Sequence, residues 1–237
     1  MNRKEMNKNN PLRALSPDAN GGGISQRMGL VMARAGIGKT AILVQIALDS
    51  LLRGKKVLHV NIGQSFEKTK IWYEDIFKDM VETYKLENSA EIMDEILPNR
   101  IIMTFKESSF SKPKLEERLN DLIYQNIFRP DCLMIDGLDF SNTDRQSMVE
   151  MRELMEAMDL HIWFSALLHR EDERTSKNGV PAPCHEIDDL FDTVVLLRPE
   201  VEKKSVALDV IKDTTGSTDE SGRILDLDPS TLMLTRV

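Results

Sequence analysis

The sequence predicts an α/β domain in which a mainly parallel sheet is flanked by helices and ends in C-terminal antiparallel strands. Three observations carry this. From Gly29 onward, short apolar runs alternate with longer segments of helical spacing, the pattern of parallel strands joined by crossover helices. The runs are almost continuously apolar, as strands covered on both faces are. After Asp189 the helical segments stop, and strand-like runs follow one another across short turns as they do in hairpins.

Taken in order, the strands are expected at Gly29 to Ala33, Lys56 to Ile62, Arg100 to Phe105, Cys132 to Asp136 and His161 to Leu167. Helices are expected between them, from Lys39 to Arg53, Phe66 to Tyr84, Pro113 to Asn126 and Asp144 to Met158. In the third, Leu115, Leu119, Leu122 and Ile123 recur at helical spacing, so that helix should pack on the sheet. Thr193 to Leu197, Ser205 to Ile211, Arg223 to Leu227 and Thr231 to Leu234 read as hairpins that extend the sheet. Residues 1–23 are polar, carry Pro11, Pro17 and the run Gly21-Gly22-Gly23, and show no apolar periodicity. They read as a mobile arm or lid ahead of a single domain over residues 24–237.

Composition narrows the function classes. The 237 residues are 41% hydrophobic, enough to fill the core of one such domain. No window approaches the roughly 18 consecutive apolar residues of a membrane span, and Met1 to Asn10 lacks the apolar stretch of a secretory signal. A cytoplasmic protein is expected. Cys132 and Cys184 lie far apart without C-x-x-C spacing, and the histidines at 59, 161, 169 and 185 show no ligand spacing, so neither disulfides nor a zinc site is indicated. With 39 acidic against 31 basic residues the net charge is −8, which opposes broad attraction to phosphate backbones. Nucleic acid is not the expected partner.

The most specific motif is Ala33-Arg34-Ala35-Gly36-Ile37-Gly38-Lys39-Thr40. It fits the Walker A pattern G-x-x-x-x-G-K-[ST] at every fixed position except the first, where Ala33 replaces glycine. An apolar strand precedes it and an amphipathic helix follows. Gly36 and Gly38 let the backbone turn closely around phosphates, while the N–H groups from Ala35 through Ala41, Ile37 among them, and the helix N-terminus supply positive potential. Lys39 would reach the β and γ phosphates of ATP, and Thr40 would join the coordination of Mg²⁺. Cys132-Leu133-Met134-Ile135-Asp136 is an apolar strand ending in a carboxylate, which makes Asp136 the second candidate for the Mg²⁺ shell. Asp139 reads as a helix cap or as a further carboxylate nearby. No N-K-x-D base-reading motif of the GTPase type occurs, which favours ATP and ADP as the nucleotides.

With these motifs the chain resembles the RecA-like P-loop ATPases, in the branch that holds the circadian-clock protein KaiC and the replicative helicase DnaB. The resemblance covers about residues 24–237 and rests on A-R-A-G-I-G-K-T, V-L-H-V-N-I-G-Q, D-C-L-M-I-D-G and I-W-F-S-A-L-L-H-R. It implies that the last of these ends in polar residues near the γ phosphate, here His169 and Arg170. It also implies that Lys212, on the closing strands, contacts a neighbour's nucleotide across a homo-oligomer interface, although Thr214 stands where the family has a second basic residue. After the second strand the family carries glutamates that orient or deprotonate the attacking water. Here Gly63 and Gln64 occupy those places; Gln64 could hold water by hydrogen bonding, and Glu67 lies one helical turn on. The stretch Glu171 to Asp188, where family members touch DNA, holds five acids against Arg174 and Lys177. With Gly179, Pro181 and Pro183 it reads as a flexible exposed loop, either bound by a protein partner or disordered. The expected activity is a slow ATPase serving as a nucleotide-dependent switch or assembly factor. A DNA-dependent ATPase of the helicase or recombinase kind is the alternative, and a scaffold that keeps the loop without turnover is a third.

Overall fold

The computed structural model describes residues 3–14, 27–169, 171–200, 202, 205–214 and 223–236. The chain forms β1 (Met28–Ala33), β2 (Val57–Ile62), β3 (Arg100–Phe105), β4 (Cys132–Asp136), β5 (His161–Leu167), β6 (Thr193–Glu200), β7 (Ser205–Asp213), β8 (Arg223–Leu227) and β9 (Leu234–Arg236). Its helices are α1 (Arg3–Asn9), α2 (Lys39–Leu52), α3 (Phe66–Tyr84), α4 (Ser89–Ile96), α5 (Lys112–Tyr124) and α6 (Arg145–Met158). Among the described residues the strands make one sheet in the order β3-β2-β4-β5-β1-β6-β7-β8-β9.

The strands from β3 to β6 run parallel, and β6 to β9 pair antiparallel. Successive strand residues feed opposite faces, the period-two consequence of the pleat. Val31, Val57, Cys132, Met134 and Trp163 join the cluster under α2, α3 and α4, while Leu30, Leu58, Leu133, Ile135 and Phe164 join the one under α5 and α6. Both faces are therefore covered, which is why these strands carry so few polar residues. As the leucine spacing implied, Leu115 and Leu119 of α5 are buried.

Several details depart from the expectations. β6 and β7 pair antiparallel as a hairpin that extends the sheet, but β6 itself pairs parallel with β1, Gly29 opposite Thr193. β9 lies at Leu234–Arg236, since Leu232 adopts a left-handed conformation and the preceding turn runs on to Met233. α4 is too short to stand out in the sequence. Of the segment read as a mobile arm or lid, residues 3–14 dock at the C-terminal end of α2, the end opposite the Gly36–Gly38 loop. Met6 and Leu12 are buried there, Arg3 Nε donates to the Leu52 carbonyl at 2.7 Å, and Asn10 Nδ2 donates to Asp49 at 2.7 Å. A cation at a helix C-terminus offsets its partial negative charge. Residues 15–23 lie outside the described residues. The stretch 171–188 is anchored too: Val180, Ala182, Cys184 and Ile187 are buried while Glu171, Glu173, Lys177 and Glu186 face solvent. No helix among the described residues is long and apolar enough to cross a membrane.

Candidate functional site

β1 delivers the chain, fully buried, to Ala33, and the next three residues emerge into solvent before α2 begins at Lys39. Ala33 is still a strand residue whose carbonyl accepts from Leu168 N at 3.0 Å, so glycine's conformational freedom is not needed at this position. It is needed at Gly38, which has φ 113 and starts α2 with no side-chain cap. The first helical bond runs from Ile42 N to the Gly38 carbonyl at 3.1 Å. The preceding N–H groups have no helical acceptor and lie at the positive end of the helix dipole. Leu227 crowds the place of a Gly38 Cβ at 3.0 Å, so the C-terminal strands pack directly against the loop.

The acidic strand brings its carboxylate to this loop. Thr40 Oγ1 donates to Asp136 Oδ2 at 2.7 Å, Ser165 donates its hydroxyl to Asp136 Oδ1, and Gly137 N donates to Ser165 Oγ at 3.2 Å. Asp136 is 3% exposed, and these bonds supply the compensation that a buried carboxylate requires. Lys39 Nζ folds back onto the carbonyls of Ala33 and Arg34 at 3.2 and 3.3 Å. Burial lowers its pKa from the usual lysine value, and the Asp136 charge opposes that shift. Behind Asp136, on the same face of the sheet, Asn61 Nδ2 donates to Thr69 Oγ1 at 2.5 Å. His59 Nδ1 pairs with the Tyr73 hydroxyl at 3.0 Å. Full burial pushes His59 down to about 4, with Asp136 opposing and the Arg100 guanidinium reinforcing the shift. His59 is thus a neutral strand residue at pH 7.

A cleft of about 1060 Å³ opens over these groups, lined by Gly36, Gly38, Lys39, Thr40, Asp136 and Gln64 among others. Ala35 also lines it, whereas Ile37 packs on the core and Ala41 is buried in α2; both could contribute only backbone N–H groups. Gln64 is half-buried at the cleft, but Glu67 is exposed in the first turn of α3 and is not part of the lining. His169 reaches the cleft, with Nε2 3.5 Å from Ser141 Oγ; Arg170 lies outside the described residues. Lys212 does not line the cleft, and its ammonium donates to the Asp188 carbonyl at 2.6 Å. Asp139 lines it while accepting from Ser141 N at 2.9 Å, so the cap and the site position coincide.

Two groups escaped the sequence reading. Ser165, a polar residue inside an apolar strand, was legible as an oddity, but its bond to Asp136 follows only from strand order. Glu107, in the turn after β3, also lines the cleft. Among the described residues no three His, Cys, Asp or Glu side chains gather into a self-sufficient metal site. The oxygen donors Thr40 and Asp136 suit a hard cation that takes its other ligands from phosphate and water. A scan against protein-family models gives no match, and a search of curated proteins gives none.

Proposed function

We propose that the chain is a RecA-like phosphate-loop protein that binds Mg-ATP and hydrolyses it slowly enough to serve as a nucleotide-dependent switch or assembly factor. The observation that carries this reading is the 2.7 Å bond between Thr40 and Asp136, which sets two hard oxygen ligands side by side beside Lys39. The parallel sheet flanked by helices, ending in antiparallel strands, agrees with the resemblance. Gly36, Gly38 and the first-turn N–H groups of α2 would cradle the phosphates, and Lys39 would swing from its loop carbonyls to the β and γ oxygens. Thr40 and Asp136 would hold Mg²⁺, which when bound neutralises phosphate charge. Ser165 orients Asp136 by donating to its other oxygen.

A role as a switch is supported by the packing of the C-terminal segment on the loop. Leu232 lines the cleft, and its carbonyl accepts from Gln45 Nε2 of α2 at 2.7 Å. The DNA-dependent alternative gains nothing from the stretch 171–188, whose Arg174 is engaged by Asp172 at 2.8 Å. The test is a calorimetric titration of the full chain and of Lys39→Ala with Mg-ATP. Parent binding with at least a 100-fold loss in the variant is expected, because a charge-assisted contact to two phosphates is removed. Equal affinity would overturn the assignment.

A further inference from the structure

We propose that Glu107 is the general base for hydrolysis, reaching the cleft from the turn after β3. The proposal rests on the Mg-ATP reading above and names the residue that activates water. Four carboxylates line the cleft: Glu107, Asp136, Asp139 and Glu150. Three of them are committed. Asp136 accepts from Thr40 and Ser165, Asp139 from Ser141 N and Asn142 Nδ2 at 2.9 and 2.6 Å, and Glu150 from Gln146 at 3.4 Å. Among the described residues Glu107 alone of the four has no hydrogen-bond or ion-pair partner.

Its position is as telling as its freedom. A Cβ built on Gly63 would lie 2.5 Å from Glu107 Oε1, 2.9 Å from Cγ and 3.1 Å from Cδ. The Glu107 side chain therefore fills the space over Gly63, at the end of β2 and next to Gln64. The β2 residue Asn61, two positions earlier, pairs with Asp136, so the carboxylate stands over the same end of the sheet as the proposed metal ligands. The turn holding it is well tied: Ser109 N and Phe110 N both donate to the Lys106 carbonyl, at 2.9 and 3.1 Å. Phe105 and Phe110 meet edge to face across it at 5.4 Å. Gly63 N bonds the Phe105 carbonyl at 2.9 Å, which joins the end of β2 to the base of the turn. A bare residue 63 is what leaves room for the carboxylate.

In the step this geometry serves, the oxygen of a water forms a bond to the terminal phosphorus while Glu107 takes one of the water's protons. The bond from that phosphorus to the bridging oxygen breaks, and its electron pair leaves with ADP. The proton then passes from Glu107 to solvent or to the released phosphate, and no group is oxidised or reduced. Gln64 can orient the water but has no basic oxygen to take its proton. A positioned base contributes about 10² to 10⁴ in rate.

The test is Glu107→Gln in the full chain, read by steady-state turnover, by Mg-ATP titration and by the nucleotide recovered from the complex. Turnover should fall about 100-fold or more, affinity should stay within about threefold because the phosphate cradle is untouched, and the recovered nucleotide should remain the triphosphate. Gly63→Ala should lower turnover in the parent, by displacing the carboxylate, and change nothing further in the Glu107→Gln background. Turnover by Glu107→Gln within about threefold of the parent, with Lys39→Ala inactive, overturns the proposal and leaves the Mg-ATP reading standing. Equal fractional losses from Gly63→Ala in both backgrounds overturn it as well, as does a parent that binds Mg-ATP without hydrolysing it. A parent that fails to bind Mg-ATP overturns the reading beneath it.

Discussion

Four helices, α2, α3, α5 and α6, begin beyond the carboxyl ends of parallel strands, and they treat their first turns differently; at α5 Ser111 makes no capping bond, and Pro113 in the first turn has no N–H to satisfy. At α3 the Ser65 hydroxyl accepts from Lys68 N at 3.3 Å, and at α6 Asp144 Oδ1 accepts from Ser147 N at 2.6 Å. Both are internal caps that satisfy donors the helix itself cannot. At α2 the same position holds Gly38, with φ 113 and no capping side chain. An uncapped helix start costs stability, and on the proposed reading the α2 start stays open for an outside anion. The same backbone feature is structural at α3 and α6 and, on the proposed reading, functional at α2.

Substitutions can break or sharpen this contrast. The largest effect expected is that of Lys39→Ala at the open end, the 100-fold loss of Mg-ATP affinity set out above, equivalent to about 2.7 kcal/mol. Next comes Asp136→Asn, which should weaken nucleotide binding about tenfold in Mg²⁺ and leave metal-free binding unchanged. Titrations with and without Mg²⁺ that shift together would place Asp136 outside the metal shell. Gly38→Ala forces a side chain into a left-handed conformation against Leu227 and should cost about 1–2 kcal/mol of stability in denaturant melts, with weaker nucleotide binding besides. The smallest effect belongs to a closed end. Asp144→Ala should lower the melting temperature by about 2–4 °C at pH 7 and leave nucleotide affinity unchanged; an affinity loss there would erase the distinction between the two kinds of helix start. Hydrogen bonds from Ser147 hold the Asp144 carboxyl below its ordinary value of 3.8. The folded state therefore binds that proton less readily than the unfolded chain does. Its stabilisation is present above pH 3.8 and should fade as acid protonates the folded carboxylate, so parent and variant melts should converge there.

The contrast also explains which parts of the molecule were legible in the sequence. The phosphate loop is local: strand, glycines, Lys39, Thr40 and helix are contiguous, and the β4 strand ending in Asp136 is equally self-contained. Core strands such as β1 and β5 announce themselves because burial on both faces leaves continuous apolar runs. What could not be read depends on partners far along the chain. Ser165 matters because β5 lies beside β4, and Glu107 because the end of β3 lies beside Gly63. β6 follows a turn-rich stretch that resembles the approach to a hairpin, yet its first partner is β1, a pairing that no local pattern encodes. α1 escaped because a helix of 7 residues, with Met6 as a buried apolar position, is too short to show a period. In the stretch 171–188 four buried apolar positions are scattered among charges, and composition alone reads that mixture as solvent-exposed.

Gln45 carries a further consequence. From the second turn of α2 its side-chain nitrogen donates to the Leu232 carbonyl at 2.7 Å, and its oxygen accepts from Leu234 N at 3.1 Å. Leu234 is 2% exposed and is not part of the cleft lining. Its amide proton is consequently a built-in spectroscopic reporter for α2: any small rotation or slide of that helix changes the length of one hydrogen bond at a nucleus outside the cleft lining. An isotope-labelled sample would register that change at a single backbone resonance and needs no attached dye.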